Sequence, residues 1–219
     1  MTKNKKTKKP WPTKDAMVQI YKNNLWGGKE SEFYSGLGSH HPETVDSYIG
    51  VVSDFLKAFD SPPVVCDLGC GDFNVAKELV KYSKMYFAVD IVPGLIEHNK
   101  QKFKADNVVF HALDISTDEL PAGDCVILRQ VLQHLSNAEI KRVVEKLYDY
   151  KYVILTEHLP AGDFQPNKDI VSGQGIRLKK ESGVNLTVSP FHFKAKEKHL
   201  LTVPAPGFKG VLKTTLFKL

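Results

Sequence analysis

Short unbroken runs of apolar residues alternate, from residue 64 to residue 156, with segments whose apolar positions recur every three or four residues. The runs fall at 64–67, 85–90, 108–112, 125–128 and 152–156. Runs this short and continuous read as strands buried on both faces, hence a parallel sheet. The intervening segments 75–82 and 94–103 read as helices, as does the one from Ser136 to Leu147. There Ser136 followed by Glu139 three residues later makes a capping box. Consecutive strand–helix–strand units with right-handed crossovers predict an α/β fold with a doubly wound, mostly parallel, Rossmann-like sheet.

The flanks follow other patterns. Thr13 as N-cap, with Met17, Ile20, Tyr21 and Leu25 at helical spacing, predicts a helix over 13–24. Residues 26–41 are rich in glycine, serine and aromatic side chains and have no period, so they form a loop. A loop of that length in a compact domain is a candidate lid or pocket wall. Pro42 opens a second helix that runs to about Phe59 and is stopped by Ser61, Pro62 and Pro63. The expected division is a basic flexible tail over 1–12, helices and loop over 13–63, and the core over 64–219. Past the fifth strand, 174–178 and 184–188 read as short strands or as irregular chain. The runs 200–203 and 210–219, the latter alternating at period two, predict an antiparallel pair closing the sheet's edge.

Charge changes the picture only at the N-terminus. The 219-residue chain carries a net +5, but Lys3, Lys5, Lys6, Lys8 and Lys9 account for all of it, leaving 25 basic against 25 acidic side chains. That tail reads either as an electrostatic arm for nucleic acid or an acidic surface, or as a solvated terminus. With 42% hydrophobic residues the chain can build a sizeable core, and it has no apolar run long enough for a transmembrane helix. Three cysteines without zinc-type spacing, and no secretory pattern, predict a cytoplasmic protein with no metal centre.

The chemistry gathers where strands end. Asp67-Leu68-Gly69-Cys70-Gly71 carries the first strand into a glycine turn, and the helix expected at 75–82 would point its N-terminal amides over that turn. Asp90 ends the second strand, 19 residues after Gly71, where a carboxylate accepts from both hydroxyls of a ribose. Asp114, just past the third strand, is placed for an exocyclic amine, with Ile115 and Ile91 as walls for a purine. A dinucleotide fingerprint fails here. Asn74 stands where the third glycine belongs, and Asp67 and Asp72 flank the turn where a pyrophosphate would sit. The turn suits a nucleoside that carries positive charge.

These residues, with the segment 129–135 after the fourth strand, resemble the class I S-adenosylmethionine-dependent methyltransferases over about 64–159. The resemblance implies S-adenosylmethionine as the donor. Gly69 and Gly71 would lie near its methionine part, Asp67 near its ammonium, Asp90 at the ribose, Asp114 and Ile115 at the adenine, and Arg129 at the methionine end. His134 is the candidate general base, since a histidine titrates near neutrality. Its alternative role is packing under the helix that starts at Ser136. Tyr34, His40, His41, Glu157 and His158 are candidates for the acceptor pocket.

The signature tetrapeptide of amino-type DNA methyltransferases and the Pro-Cys pair of cytosine C5 enzymes are both missing, which favours a small-molecule or glycan acceptor. The rival readings are a nucleic-acid methyltransferase steered by the lysine tail, a non-catalytic binding module on the same fold, and a nicotinamide-dependent oxidoreductase. The oligomeric state is not legible.

Overall fold

A computed structural model describes residues 10–29, 33–205 and 207–219. The lysines at positions 3 to 9, and with them the nucleic-acid arm, lie outside the described residues. Two helices come first, α1 (Thr13–Lys22) and α2 (Pro42–Lys57). The alternating part follows: β1 (Val64–Leu68), β2 (Met85–Asp90), α3 (Pro93–Lys102), β3 (Val108–Ala112), β4 (Cys125–Arg129), α4 (Asn137–Leu147) and β5 (Tyr152–Leu159). An irregular excursion then leads to β6 (Lys196–Pro204) and β7 (Val211–Lys218). The sheet order is β3-β2-β1-β4-β5-β7-β6. The first five strands pair in parallel, and β7 enters antiparallel between β5 and β6.

The apolar runs explain the layers. Cys66, Leu68, Val126, Leu128 and Val153 pack on one face against Ile140, Val143 and Leu147 of α4. Val65, Ile127 and Ile154 pack on the other against Val52 and Leu56 of α2. With both faces covered, continuous hydrophobic strands are what the sheet requires. Burial pushes the Cys66 thiol up to about 12, so it is an inert core residue. The capping box at Ser136 and Glu139 is formed. No described helix is long and apolar enough to cross a membrane.

Three local expectations are corrected and one open choice is decided. Residues 75–82 form two 3-10 turns, Ala76–Glu78 and Val80–Tyr82, in place of an α-helix. Eight residues of α-helix rise about 12 Å, whereas a five-residue strand is about 17 Å long. At about 2 Å per residue the 3-10 form nearly spans that length, so a short crossover stretches to reach the start of β2. No long helix dipole therefore stands over the glycine turn. Thr13 is the first helical residue after Pro12, and its hydroxyl, instead of capping, donates to Glu139 of α4. β5 runs to Leu159, because β7 pairs with it from Tyr152 to the end. Glu157 and His158 thus lie within a strand and face opposite sides of the sheet. Of the two readings left open for 174–178 and 184–188, the irregular one holds, with a 3-10 turn at Arg177–Lys180.

Candidate functional site

Sheet order reverses between β1 and β4, and a crevice opens there beyond the carboxyl ends of the strands. It is a cavity of about 720 Å³. From β1 and its turn come Asp67, Gly69 and Gly71, and from the ends of β2 and β3 come Asp90, Ile91, Asp114 and Ile115. Arg129, His134 and His158 approach from the ends of β4 and β5. Tyr34, His40, His41 and Glu157 do not line this cavity.

The aspartates differ in their surroundings. Asp90 accepts from the amide of Gly71 at 3.1 Å on one carboxylate oxygen and from that of Val92 at 3.0 Å on the other. Each oxygen keeps a second lone pair, which is the capacity needed for two neighbouring hydroxyls. Burial raises its pKa to about 6, against the pull of those amides. Asp67 accepts from the Tyr86 hydroxyl at 3.1 Å. Burial carries it to about 7, so a cation brought beside it would be strongly favoured. Asp114 accepts from the Ser116 amide at 2.8 Å, and the 8%-exposed Ile115 side chain stands next to it.

The glycine turn makes room for protein as well as ligand. A Cβ on Gly69, whose φ is +85°, would collide with Val131, and one on Gly71 would collide with the hydroxyl of Ser35. Ser35 belongs to the N-terminal loop, which the turn holds down. Asp72 accepts from the Ser35 amide at 2.8 Å and from His40 Nε2 at 2.6 Å. The charge that sequence placed bare beside a pyrophosphate is therefore engaged by the loop. His40 stacks on Tyr34 with ring centroids 4.3 Å apart, so both residues serve this clasp. Arg129 fastens the same loop from the other side. Its guanidinium donates to the Gly38 carbonyl at 2.6 Å and to the Ser39 hydroxyl at 3.2 Å, lying over the Tyr48 ring. The imidazole Nδ1 of His41 is buried without a partner among the described residues.

The two cavity histidines are not equivalent. Nδ1 of His134 lies 3.1 Å from the Gly173 carbonyl, which only accepts, so Nδ1 carries the proton. Nε2 then takes the amide N–H of Gln133 at 3.3 Å. The orientation of that amide is fixed, because its oxygen accepts from the His158 amide at 3.1 Å. Both ring nitrogens of His134 are occupied, and burial pushes its pKa down to about 4. His158 donates from Nε2 to the Lys209 carbonyl at 2.8 Å, which leaves Nδ1 as its acceptor atom. Burial lowers its pKa as well. Glu157 points to the opposite face, accepts from the Leu132 amide at 3.1 Å, and is raised to about 8 by burial.

Trp26, in the loop read as a pocket wall, lines the cavity and packs 5.1 Å from the His134 ring. Two further contributors were not legible in the sequence. Tyr21 holds the Ser35 hydroxyl at 2.9 Å. Arg177, only 1% exposed, donates to the carbonyls of Leu132, Gln133 and Leu135 and so braces the turn that carries His134. An arginine in an irregular stretch reads as surface, and no periodic signal marks it.

Residues 65–150 match the family model of a methyltransferase domain. No curated protein matches the sequence at significance. Among solved structures, the N-methyltransferase NodS from Bradyrhizobium japonicum WM9, in complex with S-adenosyl-L-homocysteine, is similar at a TM-score of 0.69 and 12% identity, over 93% of this chain and 98% of that one. Magnesium protoporphyrin IX methyltransferase (ChlM) from Synechocystis PCC 6803, with bound S-adenosylmethionine, is similar at a TM-score of 0.57 and 16% identity, over 97% of this chain and 99% of that one. At such identities the likeness is one of fold, and the fold is the Rossmann-like one of class I methyltransferases.

Proposed function

We propose that this chain, which carries a methyltransferase domain on the class I fold, binds S-adenosylmethionine in its main cavity and passes the methyl group to a small-molecule acceptor. The observation that carries the reading is the set Asp67, Asp90 and Asp114, at the ends of three adjacent strands and facing one cavity around a glycine turn. Asp90 offers paired acceptors to ribose hydroxyls, Asp114 with Ile115 and Ile91 offers an amine acceptor beside apolar walls, and Asp67 offers charge to an ammonium. Gly69 and Gly71 bring backbone close to the methionine part, and Arg129 holds the loop that closes over it.

The acceptor's lone pair forms the new bond to the methyl carbon as the carbon–sulfur bond breaks, its electron pair passing to sulfur. That leaving group is already activated, so the protein's contribution is alignment and exclusion of water. The N-terminal segment 13–63 acts as the lid. His134, with both nitrogens bonded, positions the wall and takes no part in proton transfer. A protonated acceptor nucleophile would hand its proton to Nδ1 of His158.

Calorimetry with S-adenosylmethionine and S-adenosylhomocysteine tests the donor assignment, with a reduced nicotinamide dinucleotide as control. The expected result is micromolar binding of the first two and no heat from the third. Binding of the dinucleotide alone would remove the reading.

A further inference from the structure

We infer that the acceptor is an apolar molecule bearing an anionic group, seated with that group against Lys179 and Lys209 at the end of the cavity away from the aspartates; this rests on the donor assignment above. The cavity is divided by charge. Its acidic lining residues, Asp67, Asp72, Asp90 and Asp114, all come from the ends of β1, β2 and β3. The other end is built from the chain after α1, the excursion after β5 and the turn between β6 and β7. It brings Trp26, Leu178, Lys179, Phe208 and Lys209 to the cavity, and among the described residues no carboxylate lines it.

Neither lysine forms an ion pair among the described residues. Two unpaired ammonium groups on an apolar wall form a field that favours an anion and disfavours a cation. The neighbouring histidines add no negative charge, and Glu157 is on the far face of the sheet. A cationic amine acceptor would therefore find repulsion at that end and, among the described residues, no counter-charge there.

The lip points the same way. Leu25, Leu37 and Phe208 line the cavity yet are 46%, 40% and 63% exposed. Large apolar side chains left in water around a cavity mouth mark a surface that a ligand covers. A glycan, which needs a hydrogen-bonding partner for each hydroxyl, would leave most of them unpaired against this wall. The small-molecule alternative is thus favoured over the glycan, and within it the apolar acid.

The test uses the full chain saturated with S-adenosylhomocysteine and three probes of one shape: 1-naphthoate, neutral 1-naphthamide and cationic 1-naphthylmethylamine. Calorimetry should show the acid binding about ten-fold tighter than the amide, with the amine weakest, and added salt should narrow the gap. The double variant Lys179→Gln, Lys209→Gln, altered only at exposed positions, should bring the acid to the level of the amide and leave affinity for S-adenosylhomocysteine unchanged. Equal affinities for acid and amide, a preference that survives in the double variant, or no binding by any probe would overturn the inference while S-adenosylhomocysteine still binds. Failure of S-adenosylhomocysteine itself to bind would overturn the donor assignment, and the inference with it.

Discussion

Ser35 and Asp72 hold each other reciprocally: the Ser35 amide donates to the Asp72 carboxylate at 2.8 Å, and the Asp72 amide donates to the Ser35 hydroxyl at 2.8 Å. Ser35 stands over Gly71, so this pair joins the N-terminal loop to the turn beneath it. Removing the carboxylate strands the Ser35 amide, His40 Nε2 and the Asn74 amide, which donates to it at 3.2 Å. Asp72→Ala should cost about 1–3 kcal/mol of stability. It should also speed S-adenosylhomocysteine release several-fold and hasten proteolysis between residues 22 and 41. Stopped-flow displacement and timed trypsin digestion check this, and unchanged rates in both would show that the pair is not a closure.

Asp90 needs a gentler substitution than alanine. Its carboxylate satisfies the amides of Gly71 and Val92, so Asp90→Ala would confuse lost binding with a disturbed turn. Asp90→Asn keeps one acceptor oxygen and removes the charge. Affinity for S-adenosylhomocysteine should fall about 10- to 100-fold, a loss of roughly 1.4 to 2.8 kcal/mol. Wild-type affinity in the asparagine variant, by calorimetry, would move the ribose site elsewhere.

His134 should show itself in acid stability. Its folded pKa of about 4 lies below the ordinary value of about 6.5. Between those values the unfolded chain binds more protons, so the contribution is complete above pH 6.5 and is lost as pH falls through 4. The wild type should therefore lose on the order of 2 kcal/mol more than His134→Gln between pH 7 and pH 4.5 in urea titrations. Equal losses would mean that the ring is protonated in the fold.

Glu157 has the opposite sign. Burial holds its carboxyl proton up to about pH 8, well above the unfolded value of about 4.3. Its contribution is complete below pH 4.3 and is lost as pH rises through 8. Glu157→Gln keeps an oxygen for the Leu132 amide and cannot ionise. Thermal unfolding should find the variant a few degrees more stable than wild type at pH 9 and close to it at pH 5. A wild-type melting temperature that stays level from pH 5 to pH 9 would exclude a buried proton here.

The sequence disclosed what depends on local pattern. The strands of the parallel sheet were readable because doubly buried strands must be apolar throughout, and the edge pair because 210–219 alternates. Aspartates at strand ends were readable because topology carries those ends to one place. Asp72 was misread because its partners, Ser35 and His40, meet it only after the loop folds back. The crossover at 75–82 has helical spacing, yet the strand length it must span sets its pitch. His134 looked like a base because nothing local shows Gly173 and Gln133 closing on its two nitrogens. The extent of β5 depended on β7, some 50 residues later, and with it the faces of Glu157 and His158.

Arg177 sets a lower limit on how much chain makes a working unit. Its guanidinium reaches back 42 to 45 residues to the carbonyls of Leu132, Gln133 and Leu135. A fragment trimmed to 65–150, the span that matches the methyltransferase model, would lack it, along with β5, β7 and the two N-terminal helices. During synthesis the turn bearing His134 leaves the ribosome long before its brace does. Competence to bind ligand should thus appear late and all at once, as the last third of the chain is laid against the sheet.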